Sequence, residues 1–303
     1  MIKFIKTSTM KTTKSLTIGT LSLLLFSYSC DQKPKEKIVS ETPVVEETVV
    51  TEEEKTEEKE ITYDVNQPKT IITAVAEASG GWNNVWDLND IEYDYTYEQG
   101  GKKDISKERY IFKGEHSWGS YTTHEVNVLP PSEKVVIQNF VNGKATASID
   151  GKESTDAKVV GTSAFLRQVN YFWLLMNFKL EDPETIYKYI GQEEVGGVNY
   201  EKVSISYNPE KTGKEANDIY IVYVNPTTKL IDQFYFSLPA FGVNDPVILM
   251  KVKYTEIDGI QIPTTRHAFM PGKDGKYPET PSIIQLTENV KFNNGFKAED
   301  LKI

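Results

Sequence analysis

One cysteine stands in 303 residues, so no intramolecular disulfide can staple the fold and packing must hold it. Histidine is almost as scarce, at three. None of them falls in an HExxH spacing, and no Cys-x-x-Cys exists, so the usual zinc patterns are missing. Positive charge is short as well: 34 basic against 44 acidic residues give a formal net charge of -10. A surface of that sign repels phosphate backbones, which excludes nucleic acid as a partner. Long hydrophobic runs are also lacking. The greasiest stretch, Leu16 to Phe26, is 11 residues and is diluted by Thr17, Gly19, Thr20 and Ser22. A spanning helix needs about 20.

That short run is nevertheless informative. It follows Lys3, Lys6, Lys11 and Lys14 and precedes Ser27, Tyr28, Ser29 and Cys30. A basic region, a short apolar region and small residues at a cut point make up a secretory signal peptide, expected over residues 1–29. The segment resembles a bacterial lipoprotein signal, cleaved just before a cysteine that receives diacylglycerol and further acyl chains, palmitate among them. Ser27 stands where that pattern favours leucine. Cys30 is therefore expected to be a lipid attachment point rather than a catalyst. Each buried methylene contributes on the order of 0.8 kcal/mol, and two or more chains anchor stably. Removing residues 1–29 takes away four lysines and no acid, moving the charge from -10 to -14. Adhesion to anionic headgroups is then unfavourable, and the acyl chains must do the holding.

Residues 31–60 carry eleven acidic and five basic residues, two prolines and no aromatic. Too little apolar surface is available to offset the entropy of ordering, so residues 30–61 are expected to form a disordered acidic tether. From 62 to 303 the composition turns aromatic and β-branched without a second linker, as in one large β domain.

Within that body, Pro68, the four-residue spacing of Ile71/Val75 and Ile72/Ala76, and Gly80 predict a helix over 68–79. In "IEYDYTYE", Ile91, Tyr93, Tyr95 and Tyr97 alternate with polar residues, the pattern of a half-buried antiparallel strand. "KVVIQNFVNGKATASIDG" predicts a hairpin turning at Asn142-Gly143. Further strands are expected at 107–113, 186–190, 199–207, 218–224, 230–238, 247–256, 260–269 and 283–292, with turns at Asn225-Pro226 and Asp258-Gly259. In "GTSAFLRQVNYFWLLMNF", Phe165, Val169, Phe172 and Met176, with Leu166 and Trp173 alongside, predict a helix over 163–176. Thr162 would cap it, and its apolar stripe needs a sheet face to lie on.

The phrases "GGWNNVWDLNDIEYDY", "YFWLLMNFKLEDP", "EEVGGVNYEKVSI", "YVNPTTKLIDQFYF" and "EIDGIQIPTTRHAF" resemble an uncharacterised family of Gram-negative lipoproteins, itself similar to the lipoprotein-carrier superfamily typified by LolA and LolB. The resemblance spans roughly residues 65–293. It implies a mainly β fold: a strongly curved antiparallel sheet, an open half-barrel, with helices on its concave side. It also implies a hollow that binds acyl chains. LolA is soluble and shuttles, whereas this chain reads as anchored, as LolB is.

Candidate chemistry is sparse. His116 and His124 would lie about 26 Å apart on a straight strand, or opposite each other across a loop at 119–121, where they could begin a metal site. His267 stands apart from both. Glu92 and Asp94 share a strand face at a spacing some glycosidases use, but they are equally the polar face of an amphipathic strand. Ser163 lacks the second glycine of a nucleophile elbow and is expected at a helix start. "EQGGKKD" and "PGKDGKY" lack phosphate-loop spacing and read as turns. No metal, cofactor or catalytic set is therefore expected, and the chain reads as a non-enzyme. The aromatics Tyr93, Tyr95, Tyr97, Phe112, Trp173 and Phe236 are the candidate lining of a hydrophobic-ligand site; as ordinary core they would serve equally well. Two functions follow: an envelope lipoprotein, anchored on the periplasmic side of the outer membrane or at the cell surface, that binds or carries a lipid or acyl chain; or a non-catalytic module with an envelope protein partner.

Cys30→Ser is expected to move the protein from the membrane to the soluble fraction and to remove the acyl mass from its N-terminal peptide. A variant that still sediments with membranes would overturn the anchor.

Overall fold

The computed structural model describes residues 60–208, 210 and 217–303. The expected signal peptide, Cys30 and almost all of the tether lie outside the described residues. Helix α1 (Pro68–Ala78) and the short α2 (Trp82–Asp87) lead into β1 (Asp90–Gln99), β2 (Lys102–Ile111), β3 (His116–His124), β4 (Val136–Val141), β5 (Lys144–Ile149) and β6 (Lys152–Glu153). Helices α3 (Ala157–Leu174) and α4 (Met176–Lys179) follow. The chain then returns through β7 (Thr185–Val195), β8 (Val198–Tyr207), β9 (Tyr220–Val224), β10 (Ile231–Leu238), β11 (Val243–Ile257), β12 (Ile260–Phe269) and β13 (Ile283–Phe292).

All thirteen strands form one antiparallel sheet in the order β6-β5-β4-β3-β2-β1-β13-β12-β11-β10-β9-β8-β7. Two meanders are joined where β1 pairs with β13, with Tyr95 opposite Thr287. The tight turns explain the meanders. Asn142-Gly143 holds φ of 53° and 74°, and Asp258-Gly259 holds 51° and 77°, the left-handed pair that matches the twist of two flanking strands.

The sheet is open, since the end strands β6 and β7 each pair on one side only. It is also bent. Ser163 and Trp173 are ten residues apart on α3, about 15 Å of rise. Ser163 Oγ donates to the Thr146 carbonyl of β5 at 2.8 Å, while the Trp173 ring lies 6.3 Å from Tyr220 of β9. Those strands are nine positions apart, about 43 Å along a flat sheet. No single helix reaches across that span unless the sheet curls round it, so the molecule is a half-barrel with α3 and α4 inside.

Most expected elements are present, with informative differences. The helix expected over 163–176 begins earlier, at Ala157, capped by Asp156, which accepts from the Lys158 amide at 2.8 Å. Thr162 is not a cap: it lies within the helix and its hydroxyl donates to the Lys158 carbonyl at 2.9 Å. Ser163 likewise sits inside the helix and not at its start. Most of the expected stripe packs: Leu166, Trp173 and Met176 are buried and Val169 and Phe172 are partly buried against the core, while Phe165 is exposed. The buried face is wider than the stripe and also carries Ser163, Arg167, Asn170, Tyr171 and Leu174, with the arginine reaching a buried partner. The strand expected at 107–113 runs over Lys102–Ile111, and that at 186–190 extends over Thr185–Val195. Helix α2 was not expected; six residues are too few for a helical period to register.

The partner of Arg167 is Glu108 on β2, and both side chains have no solvent exposure. Glu108 Oε1 accepts from Ser106 Oγ at 2.6 Å and from Arg167 Nη2 at 3.0 Å. Its Oε2 accepts from Tyr110 Oη at 2.9 Å and from Arg167 Nη1. Arg167 Nη2 also donates to Tyr121 Oη. The guanidinium lies directly over Gly119, where any Cβ would overlap it.

Glu108→Gln leaves a buried cation short of its anion and is expected to cost about 3–5 kcal/mol in urea unfolding. Gly119→Ala is expected to cost about 1–3 kcal/mol by displacing Arg167. The double change Glu108→Leu, Arg167→Met should recover most of the loss. A double variant no better than Glu108→Gln would show that charge pairing is not what the site requires.

Candidate functional site: an aromatic hollow around a two-part helix

The inner face of the sheet carries two aromatic groups. Around β1 and β2, Tyr93, Tyr95, Tyr110 and Phe112 pack with Tyr171, Leu174 and Phe178 of α3 and α4. The Tyr93 and Tyr110 hydroxyls are 3.0 Å apart, and Tyr171 meets Tyr110 edge-on at 5.3 Å. Around β9 and β10, Trp173 stacks on Phe234 at 5.3 Å and meets Phe236 edge-on at 5.0 Å, with Tyr220 completing the group. One helix serves both because residues 171 and 173 point to opposite sides of its buried face. At Leu175 the helix breaks before α4 resumes at Met176.

Of the six aromatics read from the sequence, Tyr93, Tyr95 and Phe112 thus gather in one group and Trp173 and Phe236 in the other. Tyr97 lies further along β1, partly buried, its hydroxyl donating to Gln99 Oε1 at 3.4 Å. The side chains fill the interior closely. A cavity of about 10 Å³ remains beside Trp173, Phe234 and Arg266, room for about one water. A larger open depression of about 450 Å³ at the β3 rim is lined by polar groups including Lys102, Thr123, His124 and Glu133.

Burial pushes the phenols of Tyr93, Tyr95, Tyr110 and Tyr121 above the usual tyrosine range, and the Glu108 carboxylate adds to this at each. Burial brings Tyr97 up to about 12. The hollow therefore presents neutral hydroxyls: an apolar lining with hydrogen-bonding points.

The other candidates are placed apart. His116 and His124 occupy the two ends of the single strand β3, so the loop that would bring them together is not formed. His124 Nε2 is 2.7 Å from the Lys134 carbonyl. Among the described residues no group of three or more His, Cys, Asp or Glu side chains could hold a metal ion. Glu92 pairs with Arg109 and Asp94 with Lys107, each at 2.7 Å, on the outer face. Lys107 beside Asp94 lowers its carboxyl pKa from the ordinary value. Ser163 donates to main-chain carbonyls of Thr146 and Asn139.

The network that sequence reasoning missed is Glu108–Arg167–Tyr121. Its signal was present: on β2 the inward positions Asp104, Ser106 and Glu108 are polar, and Arg167 interrupts an apolar helix. Alternation was read for hydrophobic residues, so a strand with a polar buried face was extended towards 113 instead.

No family model matches the chain, and no curated protein matches it. Among solved structures it is similar to a DUF1329 family protein from Desulfovibrio piger, 15% identical, over 77% of this chain and 97% of that one, with a TM-score of 0.46. It is similar also to a LolA superfamily protein from Nitrosomonas europaea, 10% identical, over 76% and 96%, again at 0.46. At these scores the likeness carries no ligand, activity or partner across, and the half-barrel rests on the strand order and helix contacts given above.

The buried phenols set an alkaline limit. An unfolded chain ionises its tyrosines near pH 10, whereas the folded chain keeps these protonated. Their contribution to stability is complete below about pH 10 and is lost as pH rises beyond it. The urea midpoint should change little between about pH 7 and 9 and fall above about pH 10, with phenolate absorbance from the buried tyrosines appearing together with unfolding. Ionisation of all tyrosines while the fold persists would contradict the burial described here.

Proposed function

We propose that this protein is a non-catalytic lipoprotein of the cell envelope, held by acyl chains on Cys30, whose inner hollow receives a hydrophobic ligand such as a lipid or acyl chain. The tether of residues 30–61 places the half-barrel domain away from the membrane surface. The observation that carries the reading is the aromatic lining shared between the sheet and the interrupted α3–α4 segment. An apolar wall with a few hydroxyls suits a ligand that is mostly hydrocarbon. Because the hollow is closed by the chain's own side chains, a ligand enters by displacing part of α3 or α4. The break at Leu175 supports movement of one piece without the other.

Native mass spectrometry under gentle conditions should find lipid on the purified protein, and a fluorescent fatty acid should bind and raise the melting temperature. Saturation at about a hundred times Kd would add about 2.7 kcal/mol. An empty mass together with no uptake removes this reading.

A second reading, a module that binds an envelope protein, is favoured by the close filling of the hollow and by Phe165 and Phe241. These rings are 38% and 50% exposed and meet each other at 5.4 Å outside the core. Cross-linking in the envelope would recover one consistent partner if it holds.

A further inference from the structure

Two arginines are buried in the hollow, and they are treated differently. Arg167, with no exposure, has the Glu108 carboxylate. Arg266 of β12 is 2% exposed, and among the described residues no carboxylate lies within 4.0 Å of it. Its Nε donates to Gln285 Oε1 at 2.9 Å and its Nη1 to the Trp173 carbonyl at 2.8 Å. For Nη2 no acceptor is present among the described residues.

An amide and a carbonyl supply dipoles, not a counter-charge. The Trp173 carbonyl belongs to the last turn of α3, whose C-terminal end carries about half a negative charge at most. A buried cation without an anion is costly enough that folded chains normally pair it. Arg266 also lines the 10 Å³ cavity, together with polar Asn177, Tyr254 and Gln261 and apolar Trp173 and Phe234. Here the cavity, the unmatched guanidinium, polar side chains and an aromatic wall meet at one point, next to the helix break at Leu175.

We propose that Arg266 is the anchor for the anionic head, a carboxylate or phosphate oxygen group, of an amphiphile whose hydrocarbon lies against the aromatic lining. The inference rests on the hydrophobic-ligand reading above and names the ligand class within it. A guanidinium binds such oxygens through paired N–H donors, and the closed surroundings strengthen the contact. The present cavity has room for about one water; a ligand's head takes that place at Arg266 as α4 or the end of α3 gives way to the head and its chain.

The full chain is titrated with dodecanoic acid, dodecyl phosphate and dodecanol at about pH 8, where both acids are ionised, below their aggregation concentrations, with binding read from tryptophan fluorescence. The expected result is that one or both anions bind about tenfold or more tightly than dodecanol. Arg266→Gln should bring all three within about twofold of one another, the anions losing more affinity than dodecanol. A preference for the carboxylate points to free fatty acids, and one for the phosphate to phospholipid-type heads; either supports the anchor. Equal binding of acid, phosphate and alcohol by the wild-type chain overturns it and leaves Arg266 as a cap on α3, with the hydrophobic-ligand reading intact. A preference that survives in folded Arg266→Gln overturns it as well. Binding of none of the three overturns both proposals. Should Arg266→Gln fail to fold, the wild-type ratio alone decides, with Arg266→Lys expected to retain part of the preference.

Discussion

The ion pair between Glu108 and Arg167 sets where everything else in the hollow lies. It ties the middle of α3 to the middle of β2, across 59 residues of chain and at zero exposure. Removing two charges from water is costly, and the recovery requires that their remaining donors and acceptors be satisfied as well. Ser106, Tyr110 and Tyr121 meet that demand for Glu108 and for the outer nitrogens of the guanidinium, and Gly119 leaves the room. An apolar contact would tolerate a helix sliding or rotating on the sheet. A charged pair with fixed donors does not, and so Arg167 fixes a rotation of α3 that also buries Leu166 and Trp173 against the sheet.

Once α3 is placed, the arrangement of the aromatics follows. Tyr171 and Leu174 must face β1 and β2, and Trp173 must face β9 and β10. The sheet then has to wrap a helix that touches strands nine places apart. Regular meanders joined by tight turns supply a long sheet with a natural twist, and the buried helix supplies the reason for it to curl rather than lie flat. The same placement brings the end of α3 to Arg266, leaving one cation matched and the other not. Arg167 faces a carboxylate, whereas Arg266 lies beside a cavity without one, so the capacity to take up an anion is concentrated at the second.

What could be read in advance was local. The alternation of Ile91, Tyr93 and Tyr95 marks an inward face because side chains on a strand point to opposite sides in turn. All three are buried. Asn142-Gly143 and Asp258-Gly259 turn the chain because few other pairs adopt two consecutive left-handed conformations. Pro68 and Gly80 bracket α1 for equally local reasons: a missing N–H at the start, and at the end a φ of 120° where a side chain would strike Gly259 and Ile260. By contrast, the first turns of α3 and the polar inward run of β2 leave no mark in apolar periodicity, the one being capped by Asp156 and the other facing Arg167.

The sequence by itself determined most of the strands and their turns, the first helix and the expectation of a lipid attachment at Cys30, since each depends on residues within a few positions of one another; β3 and β6 were not among the expected strands. Only the tertiary structure decided that β1 pairs with β13, joining Tyr95 to Thr287 across 192 residues (287 minus 95), and that Arg167 has an acid where Arg266 has none. Alternation tells which way a side chain faces but not what it meets. Partners that distant are chosen by the packing of the whole sheet around its helix, a choice carried by no short stretch of chain.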